Sequence, residues 1–159
     1  MKIQAFFENT QLLFDRMGIV PLLYGSLGLE CITGKDLNAD DIDILISEIF
    51  MTERWNEFKS VLENEGYTLC DEHEHTFEKN EVYYSYAKIE ELEQFARISL
   101  DEIEIHQKEG LKFRLLSLEQ YLKVYSASVR DGYRINVRCK KDAEKIAFIK
   151  ECLNDKSSE

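Results

Sequence analysis

The sequence predicts an α/β domain. Apolar residues recur at helical spacing at both ends of the chain, and short apolar or alternating runs bounded by Gly, Asn and charged turns lie between them. An apolar fraction of 44% over 159 residues, with nine Phe, eight Tyr and one Trp, is enough to fill one sizeable core. No internal repeat, low-complexity tract or Pro/Gly-rich linker interrupts it, so one domain is expected over 1–153, followed by a disordered polar tail at 154–159.

The elements follow in order. Ile3, Phe6, Phe7, Leu13, Phe14 and Met17 lie on one helical face, and Gly18 is the stop. The run Ile19-Val20-Pro21-Leu22-Leu23-Tyr24 is too short and too apolar for a surface helix, and Pro21 suits a strand edge; it predicts a first strand ending at Gly25-Ser26. One or two helical turns are expected over 27–33, a polar loop over 34–38 and a second strand over 41–46. Thr52 is the expected N-cap of a helix carrying Trp55, Phe58, Val61 and Leu62, with Gly66 at its end. Strands are expected over 67–70, 76–78 and 82–87, the last two joined by a Lys79-Asn80 turn, and a short helix over 89–95. The run 102–106 alternates with period two, Glu109-Gly110 makes a turn, and 112–115 returns as its hairpin partner. Ser117 and Gln120 spell a capping box for a helix through Leu118, Leu122 and Tyr125, and a last helix over 142–153 packs through Ile146, Ile149 and Leu153.

Charge and cysteine usage narrow the class of partner. Twenty Lys and Arg stand against 31 Asp and Glu, and a net charge of −11 repels long nucleic acid unless cations are gathered in one place. The cations do gather in the C-terminal third, where Arg130, Arg134, Arg138, Lys140, Lys141, Lys145 and Lys150 occur; Lys141 is the candidate among them for a triphosphate. Cys31, Cys70, Cys139 and Cys152 form no C-x-x-C pair, which leaves reduced thiols in a cytoplasmic protein as the expectation. No stretch approaches the roughly 20 apolar residues of a membrane span. His73-Glu74-His75 falls in an acidic turn and is assigned no metal.

One constellation carries chemistry. On a strand beginning at Asp41, the side chains of Asp41, Asp43 and Leu45 share a face while Ile42, Ile44 and Ile46 point to the packed side. Two adjacent carboxylates repel unless a cation neutralises them, and hard oxygen ligands suit Mg²⁺ carrying a nucleotide's phosphates. Gly25-Ser26, at the end of the preceding strand, supplies the phosphate site: glycine admits the backbone to the phosphate, and the amides and hydroxyl donate to its oxygens.

Tyr24-Gly25-Ser26, an intervening helix and Asp41-Ile42-Asp43-Ile44 resemble the signature of the polymerase-β-like nucleotidyltransferases, which include the head domains of CCA-adding enzymes and antibiotic adenylyltransferases. A strand hairpin leading into Leu116-Ser117-Leu118-Glu119-Gln120-Tyr121-Leu122 and a later Lys141-Asp142 is similar to small bacterial members, so the likeness spans about residues 18 to 150. What the resemblance implies is a mixed sheet flanked by helices, two divalent metals, and attack by a hydroxyl on the α-phosphorus of a nucleoside triphosphate with loss of pyrophosphate; the net negative charge argues against a large RNA acceptor and leaves a small molecule or a protein as the expected one. The resemblance also implies a third carboxylate on a later strand. The best-aligned strand, Glu81-Val82-Tyr83-Tyr84-Ser85-Tyr86, carries Ser85 there, with Glu81, Glu102 and Glu104 as other acids to weigh. Two rivals follow from that departure: a catalytically weak or inactive nucleotide-binding domain of the same fold, and an antitoxin-like interaction protein that needs no nucleotide.

Overall fold

The computed structural model describes the backbone of residues 2–130 and 137–157 and the side chains of 2–128 and 143–155. The chain opens with α1 (Lys2–Met17), which buries Phe6 and Leu13 and ends at Gly18, whose amide donates to Phe14 O. The first strand is shorter than its apolar run: β1 is Leu22–Tyr24. The amide of Ile19 still donates to the α1 carbonyl of Leu13, and Pro21 offers only a carbonyl, taken by Arg114 N at 2.8 Å.

The helix α2 (Gly25–Thr33) starts at Gly25 itself, two residues earlier than its apolar content suggests, and Gly34 closes it in the left-handed region. The second strand, β2 (Ile42–Ile46), begins one residue later than expected. Tyr24, the last residue of β1, pairs with Asp43, and Ile42 pairs with Tyr84 of β5; Asp41 precedes both ladders and sits in a bend. Thr52 does not cap the next helix. A 3-10 turn over Glu48–Met51 intervenes, the Thr52 hydroxyl donates to Glu48 O, and α3 (Trp55–Asn64) starts after Arg54.

Three strands follow: β3 (Thr68–Asp71), β4 (Thr76–Lys79) and β5 (Val82–Lys88). The turn between the last two is Asn80-Glu81, one residue on from the expected pair; both have positive φ, 52° and 66°, as a two-residue hairpin closing Lys79 on Val82 demands. After α4 (Glu91–Ala96), residues Leu100–Glu102 form a 3-10 turn, which removes Glu102 from the strand expected there. The hairpin of β6 (Glu104–Lys108) and β7 (Leu111–Leu115) turns at Glu109-Gly110. The capping box of α5 (Leu118–Arg130) forms as spelled, with Ser117 N donating to Gln120 Oε1 at 2.9 Å and Gln120 N to Ser117 Oγ at 3.1 Å. The last helix, α6 (Val137–Ser157), continues past Leu153 into residues where a tail is expected from the polar sequence.

The strands make one mixed sheet in the order β3-β4-β5-β2-β1-β7-β6, with β2 antiparallel to β1 and parallel to β5, and β1 parallel to β7. Both faces are covered. Ile42, Ile44, Ile46, Leu23, Tyr84, Tyr86 and Phe77 pack beneath α1 and α3, where Phe58 meets Phe77 and Tyr86 edge-on. Leu22 and Leu45 face α4, α5 and α6. Leu45 is therefore buried even though it shares its face with Asp43, whereas Tyr83 and Ala87 of β5, on that same face, are exposed. Among the described residues no helix is long and apolar enough to cross a membrane.

Candidate active site

The chain turns from β1 into α2 at Gly25, whose φ is +64°. Tyr24 pairs with Asp43 across the antiparallel β1–β2 ladder, and this register lays the Asp43 carboxylate against Gly25. A Cβ at residue 25 would stand 2.5 Å from Asp43 Oδ2 and 3.3 Å from Asp43 Cβ. Glycine is thus required twice, by the left-handed backbone and by the carboxylate above it. Because α2 begins here, the orphan amides of its first turn and the positive end of its dipole lie beside a half-buried acid, the pairing that favours a carboxylate or a phosphate.

Two groups that the sequence reading leaves out of the site brace this turn. Tyr121 of α5, completely buried, donates its hydroxyl to Gly25 O at 3.1 Å, and burial pushes its phenol well above the ordinary range. The same hydroxyl lies against Gly28, where a Cβ would also stand 2.5 Å from Leu23 O, so α2 and α5 meet at a point only glycine allows. Tyr121 stacks between Tyr24 and Tyr125, with centroids 6.5 and 6.1 Å away. The second group is Lys145 of α6, whose Nζ donates to Ser26 Oγ at 2.6 Å and lies 5.8 Å from the centre of the Tyr125 ring. Lys145 is one of the seven C-terminal cations noted in the sequence; the side chain of Lys141, the candidate chosen among them, lies outside the described residues.

The loop from α2 to β2 is fixed from within. Glu30 Oε1 accepts from Leu37 N at 2.9 Å and Ala39 N at 3.0 Å, Asp36 Oδ1 accepts from Asn38 N, and Lys35 reaches α6, its Nζ 3.8 Å from Cys152 Sγ. Asp41 leaves this loop exposed, two residues before Asp43. Both acids therefore stand at the end of β2 that adjoins Gly25-Ser26, Asp43 on the strand and Asp41 in the bend.

On its other side, β2 pairs with β5, and the register sets Asp43 opposite Ser85. Directly opposed residues share a face, so the position beside Asp43 is a hydroxyl, held 2.9 Å from the Thr76 hydroxyl on β4. The other acids fall elsewhere. Glu81 occupies the β4–β5 turn, Glu102 the 3-10 turn before β6, and Glu104 an outer strand three places from β2, about 14 Å at the usual strand spacing. No group of three or more His, Cys, Asp and Glu side chains converges on a common metal position among the described residues. Two hard carboxylates beside a helix N-terminus fit an ion that completes its shell with water and substrate phosphates, which is how Mg²⁺ is held, rather than one needing a protein cage.

A mixed sheet with helices on both faces, a Gly-Ser turn opening a helix, and one acid on the adjoining strand with a second in the bend before it accompany a nucleotidyltransferase-like fold. Two solved structures share it: the crystal structure of ANT(2″)-Ia in complex with adenylyl-2″-tobramycin, at a TM-score of 0.57 over 99% of each chain, and the solution structure of the antibiotic-resistance factor ANT(2″)-Ia, at 0.56 over 99% of this chain and 94% of that one. Both are 14% identical to this chain. The chain belongs to the family of the uncharacterized protein YnaI of Bacillus subtilis (strain 168), to which it is 40% identical over 156 residues, 98% of this chain and 100% of that one. No family model matches.

Proposed function

We propose that this protein binds a nucleoside triphosphate with Mg²⁺ and transfers its nucleoside monophosphate slowly to a hydroxyl of a small molecule or a protein. The observation that carries this is the Asp43 carboxylate packed on Gly25 at the start of α2, with Lys145 donating to Ser26 in the same turn. Amides of the first α2 turn and the Ser26 hydroxyl donate to phosphate oxygens, and Lys145, already within a hydrogen bond of Ser26, adds a positive charge there. Asp41 and Asp43 would hold the Mg²⁺, which supplies neutralisation of the phosphate charge and polarisation of the α-phosphorus. Tyr121 keeps the turn in place from below.

In the transfer, the acceptor oxygen forms a bond to the α-phosphorus, the bond to the bridging oxygen breaks, pyrophosphate leaves and the acceptor's proton must be taken up. Ser85, a neutral hydroxyl tied to Thr76, stands beside Asp43 at the position where the resemblance implies a base. A serine does not deprotonate an alcohol at neutral pH, and a missing general base is often worth ~10²–10⁴ in rate. That observation favours slow transfer over a brisk enzyme. The acceptor and the preferred base are sought by screening the four ribonucleoside triphosphates for Mg²⁺-dependent pyrophosphate release, with and without cell extract as an acceptor source. Slow release with one triphosphate, stimulated by extract, is the expected result; the absence of any release and of any nucleotide binding would refute the proposal.

A further inference from the structure

The outer strand β6 pairs only with β7 among the described residues, so its far edge presents backbone N–H and C=O groups to solvent. Nearly all of β6 is exposed, and Ile105 keeps 50% of its surface in water. The strand reads Glu104-Ile105-His106-Gln107-Lys108, acid at one end and base at the other about a central histidine. An antiparallel second copy registered on His106 would bring each Glu104 opposite the other copy's Lys108, each Ile105 opposite Gln107, and the two His106 residues together on the axis. A two-fold interface has this self-complementary form, in which residue i meets j and j meets i.

We infer that β6 is a self-association edge, through which two copies join their sheets into one across a two-fold axis at His106. The side-chain directions agree with that pairing. Glu104, His106 and Lys108 pair with Leu115, Phe113 and Leu111 of β7 and so share one face of the sheet, which places both cross-copy ion pairs on the same side. Lys108 lies 5.3 Å from the centre of the Phe7 ring and His106 stacks on Phe113, so two of the three side chains rest on aromatic rings at that edge. A foreign strand could satisfy the backbone alone; the reversal of charge about His106 matches a second copy of this same strand. Two chains of net charge −11 repel at long range, and a five-residue strand pair is small against the roughly 1,200–2,000 Å² of a stable interface, so association is weak.

Sedimentation velocity of the full chain across a concentration series at about 0.15 M salt, where screening beyond about 8 Å reduces the long-range repulsion more than contacts between opposed side chains, measures this association directly. The expected result is reversible dimer formation that Glu104→Lys weakens at least about tenfold, by opposing like charges at both pairs, and that Glu104→Lys with Lys108→Glu restores. Oxidative cross-linking reads the register. Cα atoms of residues directly opposed lie about 4.5–5.5 Å apart, within disulfide reach, whereas two copies of residue 107 would lie about 7–8 Å apart, beyond it. His106→Cys should therefore form a cross-linked dimer well above the wild-type background set by its own cysteines, and Gln107→Cys should not. A chain that stays monomeric with no His106→Cys cross-link, or a dimer indifferent to Glu104→Lys, would overturn the proposal.

Discussion

Replacing Gly25 by Ala tests the contact on which the site is built. At φ +64° an L-residue costs about 1–2 kcal/mol relative to glycine. The new methyl would also stand 2.5 Å from Asp43 Oδ2 and 3.3 Å from Asp43 Cβ, so the carboxylate must rotate and the β1–β2 ladder must give. Together these predict a loss of about 2–3 kcal/mol, within the range for strain at a special backbone position. For a domain of this size that lowers the melting temperature by roughly 4–12 °C. Removing the carboxylate should recover part of it: Gly25→Ala with Asp43→Ala keeps the backbone cost and the 3.3 Å contact with Cβ of residue 43 but loses the 2.5 Å clash, giving a coupling of about 1 kcal/mol in a double-mutant cycle of urea unfolding. Nucleotide binding, measured by calorimetry with Mg²⁺, should be lost in Gly25→Ala at temperatures where the variant remains folded. A variant that unfolds at the wild-type midpoint and binds nucleotide unchanged would refute the geometry of the turn.

Three further substitutions divide the site into its parts. Lys145→Met removes the ammonium from Ser26 and should weaken MgATP binding by about tenfold or more, since hydrogen bonds to charged groups contribute about 1.5–3 kcal/mol; equal affinity in calorimetry would take Lys145 out of the site. Tyr121→Phe removes the hydroxyl that donates to Gly25 O and should lower the urea-unfolding free energy by about 0.5–1.5 kcal/mol, and an unaltered midpoint would show that the hydroxyl does not hold the turn. Ser85→Asp sets an acid opposite Asp43 and should raise pyrophosphate release by up to ~10²–10⁴, at a modest cost in stability without Mg²⁺ from the like charge; a brisk wild-type enzyme that this change leaves unaltered would return the search for a base to Glu81, Glu102 and Glu104.

Most of the fold could be read in the chain because its signals are local. The α1 periodicity with Gly18, the Ser117–Gln120 box and the β6–β7 hairpin each rest on residues within one turn or one hairpin of each other. Boundaries moved where a neighbouring element decided them. Asp41 falls outside β2, whose pairing with β5 begins at Ile42, and Thr52 loses its cap because a 3-10 turn uses it first. In the candidate site, Gly25, Ser26 and Asp43 could be placed on adjoining elements from the motif alone. Tyr121 and Lys145 could not, because they reach the turn from 96 and 119 residues away and nothing in their own surroundings marks them. Their signals exist only as Tyr121 within the segment resembling small bacterial members and Lys145 within the C-terminal cations. Glu30, which holds the loop before Asp41 by its backbone amides, has no sequence signal beyond a helix followed by a polar loop.

Calorimetric titration of ATP with Mg²⁺ into the wild-type chain, Asp41→Asn and Asp43→Asn tests the nucleotide site most directly. The carboxylate against Gly25 and its neighbour in the preceding bend predict saturable, Mg²⁺-dependent binding by the wild type. Both variants should remain folded by circular dichroism and lose that binding or weaken it at least about tenfold, as expected when a charged ligand to a nucleotide-borne ion is neutralised. A wild type that binds no triphosphate, or binding that survives at full strength in both variants, would contradict a nucleotide site at the start of α2.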